Sequence, residues 1–183
     1  MSKYLLSILF FIFFLNGCLF SKKIEKNFIT IKDSDFFAKK SDLIFLKFDL
    51  AVENIILEIL KSTNIFIFDN TLFFIDLIKN NTDTFINVEK LTDLIKNKVT
   101  KKNHKINFLD STIIEKNKKK LGILNTKNTL DTSTAILLSR NNNVKYYLYS
   151  CISGKNEPFL LKIKLILVET GEIVFMKKEK FYI

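Results

Sequence analysis

The sequence predicts an α+β fold, an α/β sandwich whose mixed β-sheet of about four to five strands is covered by helices. Three observations carry that prediction. Val144–Lys180 reads as three successive strands. Upstream of it, several segments place their apolar residues at helical spacing. Short apolar runs stand between those segments, so helices and strands alternate before the final strands. The chain of 183 residues is long enough for one domain of ordinary size.

Taken in order, Met1–Cys18 (MSKYLLSILFFIFFLNGC) has a short basic start at Lys3 and an apolar run over Leu5–Leu15. That run has the length of a signal-peptide core and is short for a bilayer span. It ends in Leu15-Asn16-Gly17-Cys18, which resembles the bacterial lipobox. The resemblance implies cleavage after residue 17, a diacylglycerol on the Cys18 thiol and anchoring by two or more acyl chains. The alternative is an uncleaved helix continuing through Leu19 and Phe20. No Asp follows Cys18, which by the same resemblance points to the outer membrane. The organisation expected is a signal peptide over 1–17, a tether over 18–40 and a globular domain over 41–183. The tether would reach at most about 80 Å when extended.

Ser41–Lys61 carries Phe48, Val52, Ile55, Ile56, Ile59 and Leu60 at helical spacing. Lys47, Asp49, Glu53 and Glu58 interrupt it, so it reads as a core helix and a poor membrane span. Asn64–Asp69 (NIFIFD) reads as a short strand buried on both faces, and Thr71–Asn81 fits either strand or a turn of helix. Asn87–Thr100 is an amphipathic helix, capped by Asn87, with Val88, Leu91, Ile95 and Val99 in one stripe. Ile106–Asp110 is a short strand. Thr112 and Glu115 match a capping box, and Gly122 suits the end of the helix that follows. A further helix over Thr129–Asn142 starts at Asp131 or Thr132.

The last three strands fall at roughly Val144–Ile152, Phe159–Glu169 and Glu172–Phe181. In the second, Phe159, Leu161, Ile163, Leu165 and Leu167 line one face. Leu160, Lys162, Lys164, Ile166 and Val168 line the other, so one side rests on a core. Gly171 supplies the left-handed residue that the short connection to the third strand needs.

Composition excludes more than it assigns. The formal charge of +10 comes almost wholly from lysine, with Arg140 the single arginine. Lys, Asn, Ile and Phe dominate, the profile of an AT-rich genome, so the charge is no signature of nucleic-acid binding. The four glycines lie far apart, and no HExxH, CxxC or Gly-x-Ser-x-Gly occurs. His104 sits alone in a lysine loop, and Cys151 reads as a small strand hydrophobe. Glu169 and Glu172 flank a hairpin turn and read as solvated. No metal, cofactor or enzymatic activity is expected.

Particular motifs carry a resemblance. Leu121-Gly122 through Leu130, Ser139-Arg140-Asn141, Tyr146-Tyr147-Leu148-Tyr149-Ser150, Ser153-Gly154, Pro158 and Leu167–Ile173 (LVETGEI) are together similar to the LpoB family of penicillin-binding protein activators. The resemblance covers roughly Phe48–Lys180 and implies a domain like the N-terminal domain of TolB. It implies an outer-membrane lipoprotein from an AT-rich, reduced-genome bacterium. Its partner would be a class A penicillin-binding protein of the 1B type, bound through a small non-catalytic docking domain and stimulated allosterically. The family's long Pro- and Gln-rich tether is here short and proline-free. An envelope lipoprotein with a structural or assembly role and another partner is the alternative. Arg140, Tyr147 and Tyr149 are the candidate partner contacts, because Tyr and Arg are common interface anchors. The competing roles are a charge interaction at a helix C-terminus for Arg140 and packing under the helices for the two tyrosines.

Overall fold

The computed structural model describes residues 33–123 and 129–182, with side chains from Lys47 onward. The signal peptide, Cys18 and most of the expected tether lie outside the described residues. Helix α1 spans Asp33–Lys61, starting at Asp33 rather than Ser41, so 33–40 is helical backbone. Its Phe48, Val52, Ile55, Ile56 and Ile59 are buried, as their spacing predicts.

Beyond α1 come β1 (Thr71–Ile75), β2 (Lys79–Asn81), α2 (Val88–Lys102), β3 (Ile106–Phe108) and α3 (Ser111–Lys120). The chain closes with α4 (Thr132–Arg140), β4 (Tyr146–Ser153), β5 (Phe159–Leu167) and β6 (Glu172–Phe181). The sheet runs β3-β1-β4-β5-β6, with β2 also on β4. Its β3, β1, β2 and β4 pair in parallel, while β4, β5 and β6 are antiparallel.

Six strands replace the four or five expected, because β1 and β2 are two pieces laid against the same neighbour. The residues between them bond elsewhere. Asp76 accepts the Leu130 N–H, and the Ile78 N–H goes to Thr92 Oγ1 at 3.0 Å.

Local chemistry sets the helix ends. Asn87 Oδ1 accepts the Lys90 N–H at 2.9 Å and caps α2. Asp131 does the same for α4 through Thr134. For α3 the cap is Asp110 rather than Thr112: a carboxylate two residues earlier accepts both the Thr112 N–H and its hydroxyl. Glu115 is therefore free to pair with Lys118 at 3.2 Å.

The expected strand over Asn64–Asp69 is extended but joins no ladder, and it alternates rather than being buried on both sides. Ile65 is buried, whereas Phe66 and Phe68 are exposed. Its backbone is held by side chains instead. Tyr146 Oη accepts the Phe66 N–H at 3.1 Å, and Thr71 Oγ1 accepts the Phe68 N–H at 2.9 Å.

The sheet has two unequal faces. On one, Phe73, Ile75, Ile152, Leu161, Ile163 and Leu165 pack against α1 and α2 in the larger core. On the other, Phe74, Tyr147, Ile166 and Val168 pack with Ala135 and Leu138 of α4 in a smaller one. One end of the sheet is marked by Phe48, 5.4 Å from Phe181, where α1 enters. At the opposite end lie the segment after α1 and the β5–β6 turn, where Gly171 (φ +79) donates to Leu167 O at 2.8 Å.

Candidate partner-docking surface

The three candidate contacts meet different fates. Arg140 ends α4, and its guanidinium reaches back to the β5–β6 hairpin. Nε donates to Val168 O at 2.9 Å and Nη2 to Glu169 O at 3.1 Å. These carbonyls belong to another element, so the helix-end role weighed for Arg140 becomes a clamp on the turn. Its position at a helix end showed nothing of a turn 28 residues away.

Tyr147 is 1% exposed and stacks on Phe74, with ring centroids 5.4 Å apart. Burial, followed by the nearby Asp76 charge, pushes its hydroxyl far above the ordinary phenol range. Such a ring contributes to the core, and its position removes it from any surface contact. Tyr149 shares that face two residues on and is half-buried. Burial and the neighbouring Cys151 raise its hydroxyl to about 12, so it stays a neutral donor.

Tyr149 packs on the edge of the smaller core and keeps part of its ring in solvent. Lys164 and Lys162 place their ammoniums 5.6 Å and 6.0 Å from its ring centroid. Strand register puts Lys178 beside Lys162, Met176 beside Lys164 and Lys180 beside Leu160 on the same face. Met176 is 56% exposed. No carboxylate stands at any of these positions. The result is a cationic surface with a tyrosine at its centre and a polarisable methionine at its edge. Its signal was present in the sequence as Lys162/Lys164 and Lys178/Lys180 at strand spacing.

Among the described residues no three His, Cys, Asp or Glu side chains are grouped to hold a metal. Cys151 is buried and unoxidised, and its Sγ accepts from Asn81 Nδ2 at 3.4 Å. No described helix is long and apolar enough to cross a membrane. Cys18, the expected lipidation site, is outside the described residues.

A family model described as peptidoglycan-synthase activator LpoB matches residues 47–181. An uncharacterized protein of Buchnera aphidicola, a reduced-genome bacterium, is 61% identical over 175 residues, covering 96% of this chain and 99% of that protein. The penicillin-binding protein activator LpoB of Pantoea ananatis is 30% identical over 133 residues, covering 73% of this chain and 66% of the relative. The Escherichia coli LpoB is 32% identical over 105 residues, or 57% of this chain and 48% of its own length. The chain thus spans between about half and two thirds of these two activators. Among solved structures, the LpoB C-terminal domain from Salmonella enterica superposes with a TM-score of 0.67 at 26% identity, covering 74% of this chain and 98% of that domain. The matched region takes in every described strand and the described buried residues of α1, and the family regulates an enzyme rather than being one. The chain belongs to the LpoB family of peptidoglycan-synthase activators.

Proposed function

We propose that this protein is a lipid-anchored activator that binds a class A penicillin-binding protein of the 1B type and stimulates it. The observation that carries the reading is the family match over 47–181, which spans the sheet and the helices on it. The partner's small non-catalytic docking domain is the contact, and the cationic face around Tyr149 suits an acidic surface there. Arg140 supports that face indirectly by fixing the β5–β6 turn.

As a member of a family of synthase activators, the protein acts through binding. It stimulates the synthase only if it contacts the active conformation better than the inactive one. A lipid on Cys18 holds it to the outer membrane. Because residues 33–40 are helical, Cys18 and the globular domain can be separated by at most about 65 Å. The reading therefore requires a thin envelope or a tall partner.

The test combines the full chain with the periplasmic part of the organism's own class A synthase, following binding and glycan polymerisation together. Saturable binding with a faster rate supports the activator. A folded protein that does not bind at high micromolar concentration sinks this reading and leaves a structural or assembly role with another envelope partner. Incorporation of labelled palmitate, absent in Cys18→Ser, checks the anchor.

A further inference from the structure

The segment between α1 and β1 spends unusual resources on holding two aromatic rings in water. Ile65 points into the core, while Phe66 is 62% and Phe68 is 65% exposed. Surface apolar side chains that stand singly need no explanation. These two stand on a backbone pinned at many points. The buried Tyr146 hydroxyl accepts the Phe66 N–H at 3.1 Å and bonds Phe66 O at 3.3 Å. Lys145 Nζ donates to that same carbonyl at 2.9 Å and stands 4.5 Å from the Phe68 ring centroid. Thr71 closes the far side, its Oγ1 accepting the Phe68 N–H at 2.9 Å and donating to Phe68 O at 2.8 Å. Aromatic rings on a backbone already ordered lose little further entropy when they are bound, which is how interface anchors gain affinity.

Position narrows the occupant. At one end of the domain Phe48 of α1 meets Phe181. Phe66 and Phe68 follow the other end of α1, about 20 Å farther along that helix. They therefore lie at the end of the domain opposite to Phe48 and Phe181. One basic side chain stands against them: Lys145 touches both residues. Asp69 is the acidic neighbour, and Lys105 pairs with it at 3.1 Å. An apolar pocket with a carboxylate rim complements this arrangement, and a neutral or cationic one does not.

We propose that Phe66 and Phe68, with the Lys145 ammonium beside them, form a second docking contact that enters an apolar, acid-rimmed pocket on the synthase. The contact is separate from the Tyr149 face, and it rests on the activator reading above. Two variants of the full chain, Phe66→Ser/Phe68→Ser and Tyr149→Ala, are titrated against the synthase's periplasmic part beside the wild type. The double substitution is expected to weaken binding at least tenfold while circular dichroism stays unchanged. Binding within twofold of wild type overturns the proposal, as does unchanged synthase binding with loss of vesicle association or of self-association. Wild type that fails to bind the synthase overturns the activator reading itself. Should the double variant not fold, 4-fluorophenylalanine at either position replaces it. A ¹⁹F resonance that moves on saturation with synthase supports the contact, and one that stays in place at both positions overturns it.

Discussion

The two faces of the sheet carry the same strands but are finished differently. Against α1 and α2, every inward position of β5 from Phe159 to Leu165 is buried. The charges at the rim of that face are used up in pairs. Lys98 meets Asp49 at 2.7 Å and Glu53 at 2.8 Å, Lys102 meets Glu53 at 2.6 Å, and Lys177 meets Glu58 at 2.7 Å. Against α4, Tyr147 and Ile166 are buried, Tyr149 packs on the edge of that core only half-buried, and its lysines lie beside it. One face is committed to stability. The other leaves cationic surface on a rigid support, where a partner can use it without refolding anything.

Adjacent residues of β5 give the sharpest test of that contrast. Leu161 is fully buried on the sealed face, and Lys162 is half-buried on the open one. Leu161→Ala is expected to cost about 3 kcal/mol, from lost burial and the cavity left behind. Lys162→Ala should cost less than about 0.5 kcal/mol. Urea denaturation of both variants measures the difference, and similar losses would mean the two faces are not unequal in this way. Next in size is Arg140→Ala, which removes two charge-assisted bonds to hairpin carbonyls and should cost about 1–2 kcal/mol. Lysine cannot place two donors in that fork, so Arg140→Lys should recover only part of the loss. A full recovery would show that charge alone matters there. Smaller still is Ser150→Ala on the sealed face. Ser150 is 3% exposed, and its Oγ has no partner among the described residues. Replacing it is expected to leave stability unchanged or raise it by up to about 1 kcal/mol; a loss of that size would reveal a partner for the hydroxyl.

The sealed face was largely legible in the sequence. The stripe of Leu91, Ile95 and Val99 and the cap at Asn87 define α2 through contacts a few residues apart. The β5–β6 hairpin was equally readable, since Gly171 and the alternation of β5 are local signals. What escaped reading depends on distant partners. NIFIFD alternates like a strand, but its hydrogen bonds go to Tyr146, 80 residues away, so no local pattern separates a ladder from a pinned loop. The shared face of Tyr147 and Tyr149 followed from spacing. That Tyr147 is buried and Tyr149 only half-buried depends on packing with α4, an element elsewhere in the chain that spacing within β4 does not encode.

Titration sharpens the contrast in a different way, because Glu53 beside the sealed face and Asp76 beside the other are shifted in opposite directions, while the cap carboxylates Asp110 and Asp131 are both held low by the N–H and hydroxyl groups they accept from. Beside the sealed face, Lys102 and then Lys98 hold the Glu53 carboxyl down at about 2, below its usual 4.5. A depressed folded value means the interaction stabilises above the unfolded pKa and is lost as pH falls through the folded one. Beside the other face, burial raises the Asp76 carboxyl above its usual 3.8, although the Leu130 and Leu77 N–H groups and Lys118 pull the other way. A raised value means the folded state holds the extra proton, so stability at this site falls as pH rises through that window and returns on acidification. Melting temperatures of wild type, Glu53→Gln and Asp76→Asn between pH 7 and pH 2.5 separate the two. The advantage of wild type over Glu53→Gln should shrink below the ordinary carboxylate range. The difference between wild type and Asp76→Asn should move in favour of wild type as pH falls, and should do so earlier in the titration. If both differences moved in the same direction, the acidic limit of this fold would not be divided between its two faces.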